Sequence, residues 1–204
     1  MPLWRINFNK LKDIFPVFEK LISREKKEQL LDQIGRVYWL YGQSGSGKTT
    51  IAIKLERQLH ALGKYTVVLD GDNLRSGLNH GLGFTTEDRL ENIRRVAEVA
   101  KILVQNGAIV ICCLVCPLKS MRDLAQDIIG KDFTEIYIKT SIETLIQRDT
   151  KGFYKKALEG KMENLTGINS EFEESEKANI IIDTDIINVE EGVRLILSQI
   201  DNYK

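Results

Sequence analysis

Stretches with a helical period alternate along this chain with short, nearly continuous apolar runs. Ser23 followed by REKKEQLLDQIG predicts an N-capped helix that Gly35 closes. RVYWLY at 36–41 predicts a short buried strand. IAIKLERQLHALG at 51–63 sets Ile51, Leu55, Leu59 and Leu62 at helical spacing, with Gly63 as the stop. YTVVLD at 65–70 predicts a second strand. TTEDRLENIRRVAEVAKILVQNG at 85–107 predicts a long helix with Leu90, Ile93, Ala97, Ala100 and Val104 on one face. AIVICCLV at 108–115 is wholly apolar, as expected for a strand covered on both sides. EIYIKT at 135–140 and NIIID at 179–183 predict two more strands. A last helix aligns Val189, Val193, Ile196, Leu197 and Ile200.

Strands that alternate with helices predict an α/β fold: a central parallel sheet with a helical layer on each face. Such sheets bind ligands at the carboxyl ends of their strands. Residues 1–22 carry Trp4, Phe8, Leu11, Phe15, Phe18 and Leu21, interrupted by Pro16, which disfavours one continuous helix. They read as an N-terminal extension, with residues 23–204 as the domain. A length of 204 residues suits one domain with a small appendage.

GQSGSGKT at 42–49 satisfies G-x-x-x-x-G-K-[ST], between a predicted strand and a predicted helix, the context that motif requires. The domain is therefore expected to be a three-layer P-loop fold that binds a nucleoside triphosphate. Gly42, Gln43, Ser44, Gly45, Ser46, Gly47, Lys48, Thr49 and Thr50 are its candidate ATP-binding residues. Backbone N–H groups turn inward around phosphate oxygens, and the helix adds its positive N-terminus. Lys48 is expected to reach the β/γ-phosphates, and the Thr49 hydroxyl to ligate Mg²⁺. No NKxD guanine-reading motif appears, which argues against a GTPase switch.

Three further stretches carry candidate chemistry. DGDNLRSGLN at 70–79 ends the second strand. On an extended segment Asp70 and Asp72 would share one side, suited to a metal ligand and a base for an acceptor hydroxyl. Arg75 adds a planar donor for an anion. In LGFTTEDRLENIRR at 82–95, Arg89 and Asn92 share a helix face, with Phe84 just before it. RDTKGFYKKALEGKMENLTG at 148–167 holds Arg148, Lys151, Lys155, Lys156 and Lys161, with Gly152, Gly160 and Gly167 as hinges, where a closing lid would sit.

Taken in this order after a P-loop, these stretches closely resemble the adenylylsulfate (APS) kinase family. The resemblance runs from about Ser23 to Thr184, through REKKEQLLDQIGRVYWLYG, LDGDNLRSGLN, LGFTTEDRLENIRRVAEVAK and RDTKGFYKKALEGKMENLTGI. It implies transfer of the ATP γ-phosphoryl to the 3′-hydroxyl of adenylyl sulfate, giving PAPS. It implies catalytic roles for Lys48, Asp70 and Asp72, with Thr49 and Asp70 beside Mg²⁺. Asp72, Arg75, Phe84, Arg89, Asn92, Val115, Cys116, Lys151, Gly152, Leu165 and Thr166 would bind the acceptor, with Phe84 stacked on its adenine. Thr184 would lie by the ATP adenine. The family also suggests a homodimer. Three departures stand out. Cys116-Pro117-Leu118-Lys119 replaces the usual Ser-Pro followed two residues on by Arg, Leu165 replaces a Phe, and Gln43 replaces a Leu. The first two leave two acceptors in view: adenylyl sulfate, or another 5′-substituted nucleotide.

Charge and cysteine content narrow the partners. Lys+Arg and Asp+Glu are 29 each, so a general nucleic-acid coat or polybasic membrane binder is not expected. No apolar run reaches 18 residues, and MPLWRINFNKLKDIF has no signal-peptide h-region, so the expectation is a cytoplasmic protein. At this length a complete ATP sulfurylase does not fit beside the kinase, so a separate polypeptide is expected to supply APS. Cys113 and Cys116 form C-x-x-C beside Cys112, but there is no second pair and His60 and His80 lack ligand spacing. Inert packing is the expected role of the cysteines.

Overall fold

The structure is a computed structural model that describes residues 15 and 17–199. Five strands form one all-parallel sheet: β1 (Arg36–Tyr41), β2 (Thr66–Asp70), β3 (Ile109–Leu114), β4 (Phe133–Lys139) and β5 (Ile180–Asp183). Their order is β2-β3-β1-β4-β5, so β1 is central and the loop leaving it opens at the middle of the sheet. Every predicted strand is present, with ends shifted by at most two residues.

Side-chain alternation along β1 divides the interior into two layers. Val37, Trp39 and Tyr41 face a core with Ile93, Val96, Ala97, Ala100 and Val104 of α4 (Thr86–Val104) and Met121 and Ala125 of α5 (Lys119–Ile129). Tyr38 and Leu40 face a second core with Ile51, Leu55 and Leu59 of α2 (Lys48–Ala61) and Val193 and Ile196 of α8 (Val189–Ser198). The three-layer architecture is as expected. A third, smaller cluster of Leu145, Tyr154, Ala157 and Leu165 lies beneath α6 (Ile142–Arg148) and α7 (Phe153–Leu158), the lid segment.

Several local readings need correction. The first helix, α1 (Arg24–Leu31), ends at Asp32, which takes the left-handed conformation at φ 47°, and not at Gly35. Gly35 instead allows close approach: a Cβ there would stand 2.7 Å from the Val104 carbonyl oxygen. Ser23 is extended but its side chain makes no cap hydrogen bond. Leu62 and Leu90 are exposed, and Val96 takes the buried place expected of Leu90. Helix α5 has no counterpart among the predicted elements; its apolar stripe is interleaved with Arg122, Asp123 and Asp127. Ile200 and residues 1–14 lie outside the described residues. No helix among the described residues is long and apolar enough to cross a membrane.

Candidate active site

The loop after β1 is built from glycines that a side chain would spoil. A Cβ on Gly42 would stand 2.4 Å from the Ile138 carbonyl oxygen. Gly45 and Gly47 sit at φ 81° and 97°, a region that costs other residues about 1 kcal/mol or more. Gly47 caps α2, and Lys48 is its first residue. The Lys48 Nζ turns back over the loop and donates to the carbonyls of Gly42 (2.8 Å) and Gln43 (2.6 Å) and to Ser46 Oγ (3.3 Å). Burial pushes the Lys48 ammonium down to about 8; Lys151 adds to the shift, and Asp70 and Asp72 oppose it. Thr49 and Thr50 are exposed at the helix start.

β2 hands the chain directly to α3 (Gly71–Arg75), so Asp70 and Asp72 do not alternate on one extended segment. Asp70 is the helix cap: its Oδ1 accepts from the backbone N–H groups of Asp72 (3.0 Å) and Asn73 (3.4 Å). Its Oδ2 accepts from the Thr49 hydroxyl at 2.9 Å. One carboxylate thus joins the P-loop helix to the second strand's end. Asp72, in the first turn, is exposed and pairs with Lys151 from the lid.

Arg75 donates to the carbonyls of Leu82 and Gly83, both at 3.0 Å, and its guanidinium lies 4.3 Å from the Phe84 ring centroid. Arg89 donates to the Phe84 carbonyl (3.0 Å) and across to Asn164 (2.8 Å), with its guanidinium 5.5 Å from the same ring. Burial lowers the basicity of both arginines, and Arg75 lowers that of Arg89 further. Phe84 itself is 56% exposed. Its ring is therefore an open surface beside two cations, the arrangement a base with an anionic tail needs. Asn92 is buried and accepts from Asn79 Nδ2 at 2.9 Å.

The lid is tied to the loop at two points. Tyr154 is buried and donates its hydroxyl to the Ser44 carbonyl at 2.7 Å. Gly167, at φ 89°, lies against the Gln43 amide, so close that a Cβ would fall 1.8 Å from Nε2. Gln43 and residues 167–172 with Glu174 line a cleft of about 510 Å³. Gly152 starts α7 at φ 67°, where Asp149 accepts from the N–H groups of Tyr154 and Lys155, both at 3.0 Å. Leu165 is 5% exposed and spends its surface on the lid's own cluster; Thr166 is also buried. Tyr154 and Asn164 were not singled out in the sequence, because an isolated tyrosine and asparagine carry no spacing signal.

The remaining candidates frame the site. The Gly42 N–H donates to the Val115 carbonyl at 3.3 Å, so the turn after β3 abuts the P-loop. Cys112, Cys113 and Cys116 are free and buried; burial pushes the thiols of Cys113 and Cys116 up to about 12, which makes them poor nucleophiles. Thr184 shares a 2.8 Å hydrogen bond with Thr140, which donates to the Ser46 carbonyl at 3.4 Å. Arg148 donates to both the hydroxyl and carbonyl of Thr184. Lys119, where the family usually has Arg, pairs with Asp123 at the surface.

Comparison with known proteins adds the final observation. The family model described as adenylylsulphate kinase matches residues 34–183. The adenylyl-sulfate kinase of Phocaeicola vulgatus is 48% identical over 187 residues, 91% of this chain and 92% of that protein. That of Clostridium acetobutylicum is 46% identical over 186 residues, 91% of this chain and 93% of that protein. Among solved structures, the Mycobacterium tuberculosis APS kinase in complex with AMPPNP and APS superposes with a TM-score of 0.80 at 36% identity. It covers 83% of this chain and 99% of that one. With its P-loop and Asp70–Asp72 segment at the carboxyl ends of β1 and β2, and the lid in contact with both, this chain belongs to the adenylylsulphate kinase family.

Proposed function

We propose that this chain transfers the γ-phosphoryl group of ATP to the 3′-hydroxyl of adenylyl sulfate, releasing PAPS and ADP. The observation that carries the reading is the line Thr49–Asp70–Asp72–Lys151. It joins the phosphate loop, the second strand's end and the lid through consecutive contacts. Lys48 and the loop N–H groups hold the transferring phosphates and stabilise their charge. Thr49 and Asp70 offer hard oxygens 2.9 Å apart. That fits Mg²⁺, which binds through one or two protein groups and otherwise through water and substrate phosphates. The ion would neutralise charge developing between the β- and γ-phosphates.

On the acceptor side, Asp72 orients the 3′-hydroxyl and takes its proton. Phe84 carries the acceptor base, and Arg75 and Arg89 exchange their carbonyl partners for the phosphosulfate. Asn92, Val115, Cys116, Gly152 and Thr166 shape the pocket, and Lys151 leaves Asp72 when substrate arrives. Leu165 contributes through the lid's packing. Thr184 and Arg148 flank the ATP adenine. The enzyme acts in the cytoplasm on APS made by a separate ATP sulfurylase, as a homodimer.

The departure at Cys116-Pro117-Leu118-Lys119, which leaves Lys119 paired with Asp123 at the surface, keeps one other acceptor in view, a different 5′-substituted nucleotide. ADP release with ATP–Mg²⁺ and a panel containing APS and a 5′-substituted cytidine nucleotide decides. APS should accelerate release above all others. Equal or faster release with the cytidine compound would overturn APS as the acceptor.

A further inference from the structure

The turn after β3 is strained. Cys116 sits at φ 43°, left-handed backbone that a non-glycine residue rarely adopts. It also precedes Pro117, which favours extended backbone in the residue before it. Such a conformation costs on the order of 1–3 kcal/mol and persists only where the surroundings over-determine it.

Arg122, 4% exposed on α5, supplies that constraint. Its Nη1 donates to the carbonyls of both Cys116 (3.4 Å) and Pro117 (3.3 Å). Its Nε lies 3.2 Å from Glu135 Oε1 on β4, and its guanidinium stands 4.7 Å from the Tyr41 ring centroid on β1. The pair thus reaches from the turn to two central strands. The lid's return is fastened at the same place. The Pro117 carbonyl accepts from the Glu173 N–H at 2.9 Å, the Lys119 N–H donates to the Glu173 carboxylate, and Phe172 packs on Tyr41 and Tyr137.

A buried ion pair is weak evidence of a stabilising role, since desolvation offsets much of its attraction. Here one end of the guanidinium, Nη1, is spent on the strained turn while Nε faces Glu135. We propose that Arg122, held by Glu135, is a positioning residue that fixes the backbone of the Cys116–Pro117 turn, whose side chains are buried, at the border of the acceptor pocket, so that acceptor binding depends on it and ATP binding does not. The proposal rests on the reading above that Val115 and Cys116 border the acceptor.

Arg122→Lys keeps the charge and loses the planar fork, so a change reports geometry and not the electrostatic field. Expected is a rise in KM for adenylyl sulfate of about tenfold, the scale of one hydrogen bond to a charged group. KM for ATP should stay within about twofold, well under that scale. Glu135→Gln, isosteric and neutral, should move the same KM in the same direction by less. The double variant should show little more than Arg122→Lys alone, because the two residues act as one unit. A lower thermal midpoint with both KM values unchanged would make the pair merely structural and overturn the proposal, as would equal rises in both KM values. If Arg122→Lys does not fold, Glu135→Gln decides: an unchanged KM for adenylyl sulfate overturns it. Arg89→Ala serves as reference. If Arg89→Ala weakens adenylyl sulfate and Arg122→Lys does not, the positioning role fails and the acceptor site stands. If neither moves that KM, the acceptor site itself is misplaced.

Discussion

The two halves of this site are made of different materials. The donor half is backbone: loop N–H groups fixed by three glycines, with one buried lysine lying on the loop's own carbonyls. The acceptor half is side chains: a 56%-exposed Phe84, two arginines, and an exposed Asp72–Lys151 pair. Backbone on a central strand is held by the whole sheet and needs little rearrangement. The side chains of the other half are parked on substitutes. Arg75 and Arg89 hold carbonyls, and Lys151 holds Asp72. Each contact must be exchanged when an acceptor arrives. Damage to the donor half should therefore appear in the chemical step for any substrate, and damage to the acceptor half should be selective.

The strongest test of that contrast is Lys48→Ala. Lys48 makes its hydrogen bonds only to its own loop, so the sheet should survive its loss. Turnover should fall by about 10²–10³-fold, the typical worth of one preorganised charge-stabilising donor. Steady-state ADP release, with circular dichroism to confirm folding, checks it. Near-normal turnover in a folded variant would remove the loop from catalysis.

Asp72→Asn and Arg89→Ala should split the acceptor half by role. Asp72→Asn keeps the shape and removes the base, so kcat should drop by about 10²-fold or more with a smaller change in acceptor KM. Arg89→Ala removes an anchor and should raise acceptor KM by roughly 10- to 150-fold, from about 1.5–3 kcal/mol of charged hydrogen bonding. Both should leave ATP affinity near the parent value. Loss of ATP affinity with acceptor affinity kept would put these residues in the donor half.

The same contrast explains what the sequence discloses. The donor half is one contiguous motif of eight residues between a strand and a helix, and it can be read without the fold. The acceptor half is scattered over residues 70–92, 115–116 and 148–167, and only the fold joins Asp72 to Lys151 and Arg89 to Asn164. Resemblance to a family supplied those positions; periodicity did not. Strand β3 is legible because it is apolar throughout, and the others because β-branched and aromatic residues dominate short runs between turns. Helix α5 is not, because charges interrupt its stripe. The Asp70–Asp72 geometry departs from the extended expectation because nothing in DGDN announces that the strand stops at its first residue and a helix begins. Arg122 carried no signal at all: its role depends on a backbone torsion six residues away.

Titration sharpens the donor half. Lys48 has a folded value near 8, well below its ordinary value of about 10.4. Between those values the unfolded chain binds more protons than the folded one. The ligand-free protein should therefore gain stability from this group as pH rises from about 8 toward 10.4. ATP works the other way. Its phosphates favour charged Lys48, so binding above pH 8 takes up a proton, and Kd should rise by up to about tenfold per pH unit there. Calorimetry at pH 8.5 in two buffers of different ionisation heat measures that uptake. It should vanish in Lys48→Met. Proton uptake that persists in the variant would assign it to another group.

The smallest expected effect concerns Leu165, where the acceptor half meets the lid's own core. If the leucine faced an acceptor base, Leu165→Phe would add a stacking partner worth about 1–3 kcal/mol and tighten adenylyl sulfate. The structure points elsewhere, because the side chain is 5% exposed and packed with Leu145, Tyr154 and Ala157. A larger ring there overfills a closed cluster, at about 1–3 kcal/mol. For a domain of this size each kcal/mol lowers the melting temperature by about 2–4 °C. The lid also carries the Tyr154–Ser44 bond, so crowding should loosen its seat on the P-loop before it touches the base. Leu165→Phe should therefore melt a few degrees lower, with KM for adenylyl sulfate changed less than the roughly fivefold that 1 kcal/mol represents. Differential scanning fluorimetry and initial rates on the same preparation separate the two cases. A tighter KM at an unchanged melting temperature would mean that residue 165 reaches the acceptor after all.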